Sequence, residues 1–347
     1  MKKVGICGHF GKNKTFLDGQ TVKTKIITKE LQKQFGNDEI LIVDTYGGIK
    51  NLFRQIIRIF FIIKNCKNVI ILPAHNGLRV FVPVLVFLNK FFKRGLHYIV
   101  IGGWLPEFVS KRKWLSRCLK KFDYIYVETS TMKESLKKKD FNNVVILPNC
   151  KNIKILKEEE LIYNFTKPYK LCTFSRVMKE KGIEDAVKAV KGVNEKYGEI
   201  IYRLDIYGQI DNEYKIYFEK LCSNFPEYIR YKGMIPYEQS TEVLKNYYAL
   251  LFPTYYEGEG FAGTLIDALA SGIPVVASDW RYNSEIVEED VTGFLFKTKN
   301  VKFLMDKLVE IYEKNIFVNN MKKECLKEAN KYLPENVINV VLENLKN

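Results

Sequence analysis

The sequence lacks several things, and each absence removes a class of function. Histidine occurs only three times in 347 residues. The seven cysteines (Cys7, Cys66, Cys118, Cys150, Cys172, Cys222, Cys325) are scattered, with no C-x-x-C pair and no His at ligand spacing. That spacing argues against a zinc site or a disulfide framework and fits a reducing cytosol. No window holds the roughly 20 apolar residues of a spanning helix. The longest candidate, 80–92, is interrupted by Pro83, Asn89 and Lys90. The opening MKKVGICGHF meets Gly and His too soon to read as a signal peptide.

Acidic residues are missing altogether from 51–100. The net charge of +15 sits in the first half: residues 1–165 hold 30 Lys+Arg against 13 Asp+Glu, and the remainder holds 25 against 27. A basic face confined to one half implies an anionic partner there. Nucleic acid is not indicated, since no helix-turn-helix, RNP or zinc-finger pattern accompanies the charge. NLFRQIIRIFFIIKNCKN and RVFVPVLVFLNKFFKRG mix Ile and Phe with Arg and Lys. Two readings stand: segments resting on an anionic membrane surface, or buried helices with basic outer faces.

Length and composition (47% hydrophobic, 27% charged) suit a globular chain of two domains. Short apolar runs alternate with amphipathic helical stretches, the pattern of a parallel sheet covered on both sides. Strands are expected at 3–7, 39–43, 68–72, 97–101, 124–128 and 144–148, then at 169–175, 202–207, 229–232, 249–253, 274–277 and 293–296. The fold class is therefore α/β, with two Rossmann-like, doubly wound domains over 1–160 and 168–330. Pro334 breaks the helical run before it, so 334–347 reads as one further amphipathic helix. Such folds bind ligands beyond the carboxyl ends of their strands.

The most informative stretch is PTYYEGEGFAGTLIDALASGIPVVASD, 253–279. Strand, Gly-rich turn, helix, Gly-x-Pro and strand follow without spare residues. Gly258, Gly260 and Gly263 let backbone approach a ligand, and a helix from about Ala262 presents free N–H groups to an anion. Thr264 adds a hydroxyl, and Glu259 and Asp267 supply carboxylates. A second stretch, TFSRVMKEKGIEDAVKAV, ends a strand at Ser175 and places Arg176 and Lys181 before a helix opening near Ile183. Two cations there can neutralise a diphosphate, Arg as a planar fork and Lys as a point charge. Against these stand a turn needed only for packing and two solvated surface cations.

These stretches resemble glycosyltransferase family 4, the retaining nucleotide-sugar transferases of the GT-B fold. The E-x(7)-E signature of that family, within E-G-F-G…E-A-x-A-x-G-x-P-V, is similar to Glu259-Gly260-Phe261-Ala262…Asp267-Ala268-Leu269-Ala270-Ser271-Gly272-Ile273-Pro274-Val275. Its R-x(4)-K pair matches Arg176 and Lys181. VVILPNC, LDIYGQ, IRYKGMIPYEQ and NSEIV with TGFLF echo other family segments, and Asp18-Gly19-Gln20-Thr21 takes the place of its N-terminal Gly-rich loop. The resemblance implies that Glu259 contacts the donor sugar and Asp267 the ribose hydroxyls. Arg176 and Lys181 hold the diphosphate with the amides of Ala262, Gly263, Thr264 and Leu265, Gly233 and Met234 meet the base, and Gly19 touches the phosphates. Glu259, Arg176 and Lys181 would be the catalytic set.

Three positions depart from the family. Asp267 replaces a Glu, Gly258-Glu259 resembles a two-residue addition that leaves Glu257 as a rival, and Ile101-Gly102-Gly103-Trp104 stands where the family often has His. His75 and Trp104 are candidates for the acceptor side. No D-x-D metal-diphosphate motif occurs, and no metal or other cofactor is expected. The resemblance implies a hexosyltransferase taking a nucleoside-diphosphate sugar, UDP by family frequency. The acceptor would be a saccharide or lipid-linked saccharide at the cytoplasmic face of a bacterial plasma membrane, in capsule or other polysaccharide biosynthesis. A GT-B nucleotide-sugar epimerase and a non-catalytic partner subunit binding nucleotide sugar or lipid remain as alternatives.

Overall fold

Parallel strands form where the apolar runs lie, because both faces of each sheet are covered and no polar alternation is needed. The structure, a computed structural model, describes residues 1–11, 19–46, 52–314 and 316–346. The chain folds as two compact units, Met1–Asn152 with Tyr332–Asn347, and Ile153–Lys331.

Unit 1 runs β1 (Lys2–Gly8), α1 (Gly19–Phe35), β2 (Ile40–Asp44), α2 (Leu52–Asn65), β3 (Cys66–Ile71), α3 (His75–Phe92) and β4 (Gly95–Ile99). It continues with α4 (Leu105–Ser110), α5 (Lys113–Leu119), β5 (Tyr124–Val127), α6 (Ser130–Lys137) and β6 (Val144–Ile146). Unit 2 runs β7 (Tyr169–Phe174), α7 (Ile183–Tyr197), β8 (Tyr202–Tyr207), α8 (Lys215–Cys222), β9 (Ile229–Gly233), α9 (Ser240–Leu244) and β10 (Ala249–Phe252). It ends with α10 (Gly263–Ala270), β11 (Val275–Asp279), β12 (Gly293–Lys297), α11 (Val301–Glu313) and α12 (Ile316–Asn330). The chain then returns to unit 1 with α13 (Pro334–Val337) and α14 (Asn339–Leu342).

Among the described residues each sheet has six strands, ordered β2-β1-β3-β4-β5-β6 and β12-β11-β10-β7-β8-β9. The order reverses between β1 and β3 in unit 1 and between β7 and β10 in unit 2, the positions at which such sheets open a crevice for a ligand. All twelve expected strands form. The fourth is shifted two residues toward the N-terminus, because Gly95 and Leu96 pair with Asn68 and Val69 of β3. The expected terminal helix is divided: Val341 N–H turns back to the Ile338 carbonyl, a tighter i to i−3 bond that separates α13 from α14. Val337, Ile338 and Val341 join Val4, Ile27 and Ile70 in the core of unit 1.

Pro83 does not end the 80–92 segment; it lies inside the single 18-residue helix α3, capped by Lys93 in the left-handed conformation. Among the described residues no helix is long and apolar enough to cross a membrane. In unit 2, Ile183, Ala186, Val187 and Val190 of α7 are buried as their spacing requires, against Leu171, Leu204 and Leu308.

Unit 1 also buries an ion pair. Lys23 on α1 and Glu128, just past β5, meet at 2.7 Å with side chains 2% and 3% exposed. The second Glu128 oxygen accepts the Gly102 N–H at 3.2 Å, tying the loop after β4 to the same carboxylate. Removing one partner strands a charge in the interior, which costs about 3–5 kcal/mol. Urea unfolding of Lys23→Met is therefore expected to show a loss of that size, partly recovered by adding Glu128→Leu. A loss below about 1 kcal/mol would mean that the pair is solvated rather than buried.

Candidate functional site

The switch point of unit 2 is built by two loops that follow adjacent strands. After β7 the chain passes Ser175 and Arg176, makes a short 3-10 turn at Lys179–Lys181 and enters α7 through Gly182. Gly182 has φ +70°, and a Cβ there would run into the carbonyl oxygen of Pro253. Only glycine lets this loop press directly on the end of β10. After β10, Thr254 begins the Gly-rich turn that leads to α10, and the Tyr255 N–H donates to the Glu180 carbonyl at 2.8 Å.

The two loops join through side chains. Lys181 Nζ lies 2.5 Å from Glu259 Oε2, with side chains 12% and 9% exposed. Thr254, fully buried, donates to the same oxygen at 2.8 Å. The Lys181 ammonium also lies over the rings of Phe252 and Tyr256, 5.5 and 5.3 Å from their centroids, an arrangement that favours a cation. Among the described residues only Oε2 of Glu259 is engaged, and Lys181 gives one of its three donors to it.

Glu257, the rival carboxylate, is 71% exposed and pairs instead with Arg281. The neighbouring Trp280 indole donates to the Tyr256 carbonyl at 2.8 Å. Glu259 is thus the carboxylate turned inward with Lys181, and Glu257 is held on the outer side of the turn.

The helix after the turn starts at Gly263 rather than Ala262, which is its N-cap and offers no side-chain cap. The Leu265 N–H is taken by the Ala262 carbonyl at 3.0 Å, so the amide row expected over 262–265 is shorter at that end. A Cβ built on Gly263 would meet no atom within 4 Å, so space stands open beside the first turn. Thr264 donates to the carbonyl of Phe174 at 2.7 Å, pinning α10 to the end of β7. Gly260 is partly exposed, and Phe261 and Ala262 are buried.

Asp267 does not share the open face expected from its spacing. It is 1% exposed, and its Oδ1 accepts the Ser240 hydroxyl of α9 at 2.8 Å. One methylene shorter than Glu, it stays within the helix packing and draws α9 to it. Arg176 stands apart from Lys181, 59% exposed and 3.9 Å from Asp211. Gly233 closes β9 at φ +77°, its carbonyl accepting the Gly208 N–H at 2.9 Å, and Met234 beside it is 64% exposed.

Thr254, Ser240 and the Phe252 and Tyr256 rings were not legible as site residues, because their roles arise from contacts with residues 5 to 75 positions away. A buried Thr two places past the end of a strand carries no periodic signal.

Unit 1 supplies Gly19, His75 and Trp104. Gly19 is the first residue of α1, and Asp18 before it lies outside the described residues. The Gln20 amide donates to the Leu72 carbonyl at 3.2 Å, joining α1 to the end of β3. His75 opens α3, and its ring lies against that of Trp104, tilted by 32°, with centroids 3.9 Å apart. Phe108 lies edge-on to both, with the Arg112 guanidinium 3.9 Å from its own centroid. Partial burial and the Arg112 charge hold the His75 pKa below its ordinary 6.5, so the imidazole is neutral at pH 7. Trp104 donates to the Ile101 carbonyl at 2.8 Å. His97, by contrast, is fully buried between Asn68 and Tyr126, and burial pushes its pKa down to about 4. The sequence did not pair His75 with Trp104; the structure does.

The chain is similar to known proteins in sequence and in fold. The family described as Glycosyl transferases group 1 matches residues 157–331, half of the chain. The GtfA subunit of a UDP-N-acetylglucosamine–peptide N-acetylglucosaminyltransferase from Streptococcus gordonii is 29% identical over 178 residues, 50% of this chain and 34% of that protein. The amylovoran biosynthesis glycosyltransferase AmsK of Erwinia amylovora is 26% identical over 132 residues, 37% of this chain and 32% of that protein. The chain thus spans about a third of the length of each. Among solved structures, Anabaena Alr3699/HepE in complex with UDP superposes with a TM-score of 0.76 at 13% identity, covering 99% of both chains. That likeness establishes the GT-B fold. With the family match over the strands, loops and carboxylates of unit 2, the chain belongs to the group 1 glycosyl transferases.

Proposed function

We propose that this glycosyltransferase is a retaining, family 4-like hexosyltransferase that moves a sugar from a UDP-sugar to a hydroxyl of a lipid-linked saccharide. It would work in surface-polysaccharide assembly at the inner face of the plasma membrane. The observation that carries the reading is the Lys181–Glu259–Thr254 group set beside the open first turn of α10.

The costly event in such a transfer is departure of the diphosphate while positive charge develops on the sugar ring. Fixed cations and helix amides answer that departing charge without reorganising. Lys181 is held rigidly and keeps two donors for phosphate oxygens. Arg176, loosely paired with Asp211, is available to close on the diphosphate as a planar fork. The Gly263 side of α10 has room for the phosphate to approach the backbone. Glu259 keeps Oε1 for a sugar hydroxyl while Oε2 stays bound to Lys181 and Thr254. The exposed Met234 beside Gly233 is assigned to the base, whereas Asp267, 1% exposed and bonded to Ser240, would reach the ribose hydroxyls only if that packing opened. These groups stabilise the leaving charge themselves, so the proposed chemistry calls on no metal.

In unit 1, a neutral His75 packed against Trp104 offers a ring nitrogen to an acceptor hydroxyl, and the indole an apolar face to a sugar. With no second inward carboxylate placed as a nucleophile among the described residues, attack by the acceptor on the face the diphosphate leaves fits best. The UDP named for HepE and the UDP-N-acetylglucosamine named for GtfA support the donor, and the amylovoran biosynthesis named for AmsK supports a biosynthetic role.

A thermal-shift screen of UDP-, GDP-, ADP- and dTDP-sugars is expected to raise the melting temperature with UDP-sugars, by mass action, and less in Arg176→Ala. Turnover of Arg176→Ala should fall by ~10²–10³. No shift with any nucleotide would remove the donor assignment.

The two carboxylates give a second test. Glu259→Gln should lose most transfer activity, and Glu257→Gln should stay within about twofold of the parent, as a surface ion pair contributes little. Equal losses would show that the inward orientation of Glu259 does not decide the role.

A further inference from the structure

Helices α2 and α3 carry large apolar side chains that the fold does not cover. On α2, Phe53, Ile57, Phe60 and Phe61 recur at i, i+4, i+7 and i+8 and are 79%, 54%, 43% and 57% exposed. On α3, Phe87 and Phe91, one turn apart, are 59% and 71% exposed. Between the helices Ile56, Phe60, Pro83, Val84, Phe87 and Leu88 line an open groove of about 520 Å³. A monomer whose core were complete would not leave six such side chains together on one pair of helices.

Cations frame this apolar face. Arg54, Arg58 and Lys64 on α2 and Lys90 and Lys93 at the end of α3 are all exposed. Among the described residues none of the five forms an ion pair, and no acidic residue occurs anywhere in 51–100. A second copy of this chain fits poorly, because a two-fold contact would press each basic rim against its twin. An anionic bilayer satisfies both halves at once. Aromatic side chains enter the acyl boundary, and Lys and Arg lie on headgroup phosphates. Neither helix is long and apolar enough to cross, so the face would rest on the membrane and not span it.

We propose that the α2–α3 face seats the protein on anionic lipid, with Phe53, Phe87 and Phe91 entering the bilayer and Arg54, Arg58, Lys64 and Lys90 contacting phosphates. The inference rests on the membrane location proposed above and names the surface that makes it.

The test is co-sedimentation of the full chain with vesicles of phosphatidylglycerol and phosphatidylcholine, beside vesicles of phosphatidylcholine alone. Binding is expected to the mixed vesicles only, falling as salt rises. The triple variant Phe53→Ser, Phe87→Ser, Phe91→Ser should lower the partition coefficient by at least about tenfold. Arg54→Gln and Lys90→Gln should each lower it about fivefold at low salt. All these side chains are exposed, so circular dichroism and the melting temperature should match the parent. No binding to the anionic vesicles, or binding that the triple variant retains, overturns the proposal. So does a dimer in sedimentation equilibrium that the triple variant abolishes, which would give the face to a second copy. The readout needs neither donor nor acceptor, so failure of the transferase reading would leave vesicle binding intact. Equally, the triple variant should keep its thermal shift with the nucleotide sugar.

Discussion

The candidate site depends on the ion pair between Lys181 and Glu259. It joins the loop after β7 to the loop after β10, the two strands between which the order of the sheet reverses. Each partner alone is a long, mobile side chain. Together, with Thr254 behind the carboxylate and two rings beside the ammonium, they form a charged group fixed in direction before any ligand arrives. Preorganisation of this kind lets charge stabilise a transition state without first rearranging. The backbone supports it: Gly182 lets one loop lie on Pro253, and Thr264 pins the first turn of α10 to Phe174.

A different balance governs unit 1. Its buried ion pair, Lys23 with Glu128, is sealed from water and serves position instead of ligand contact, holding α1 and the loop at Gly102 to one point. Outside that core the unit is basic and, on α2 and α3, openly apolar. About half of the positive excess of the first 165 residues lies in 51–100, the segment that carries α2 and α3. Unit 2 is near neutral, and of its many cations Arg176 and Lys181 stand on the loop after β7.

Much of this was legible beforehand. The strands announced themselves because a parallel sheet buried on both faces needs continuous apolar runs. The Gly-rich turn, Arg176, Lys181 and Glu259 stood out because a strand end, glycines, cations and carboxylates together suit a phosphate or diphosphate ligand. The basic amphipathic stretches were visible too, but sequence left two readings open. Periodicity shows that a helix has an apolar face and does not say whether the protein covers it. Phe53 at 79% exposure answers for α2.

What the sequence could not reach were facts of distance. The choice between Glu257 and Glu259 turned on which carboxylate faced Lys181, and two residues apart in a turn they look alike. Asp267 shares a helical face with Thr264 by spacing, yet packing against α9 buries it on Ser240. His75 and Trp104 were picked separately and meet only because β3 and β4 are neighbours. By itself the sequence determined the element types, the two α/β sheets and the chemical inventory, since these follow from local periodicity and residue type. Only the tertiary structure decided which charges are paired, which are buried and which apolar faces remain open, because each depends on residues far apart in the chain.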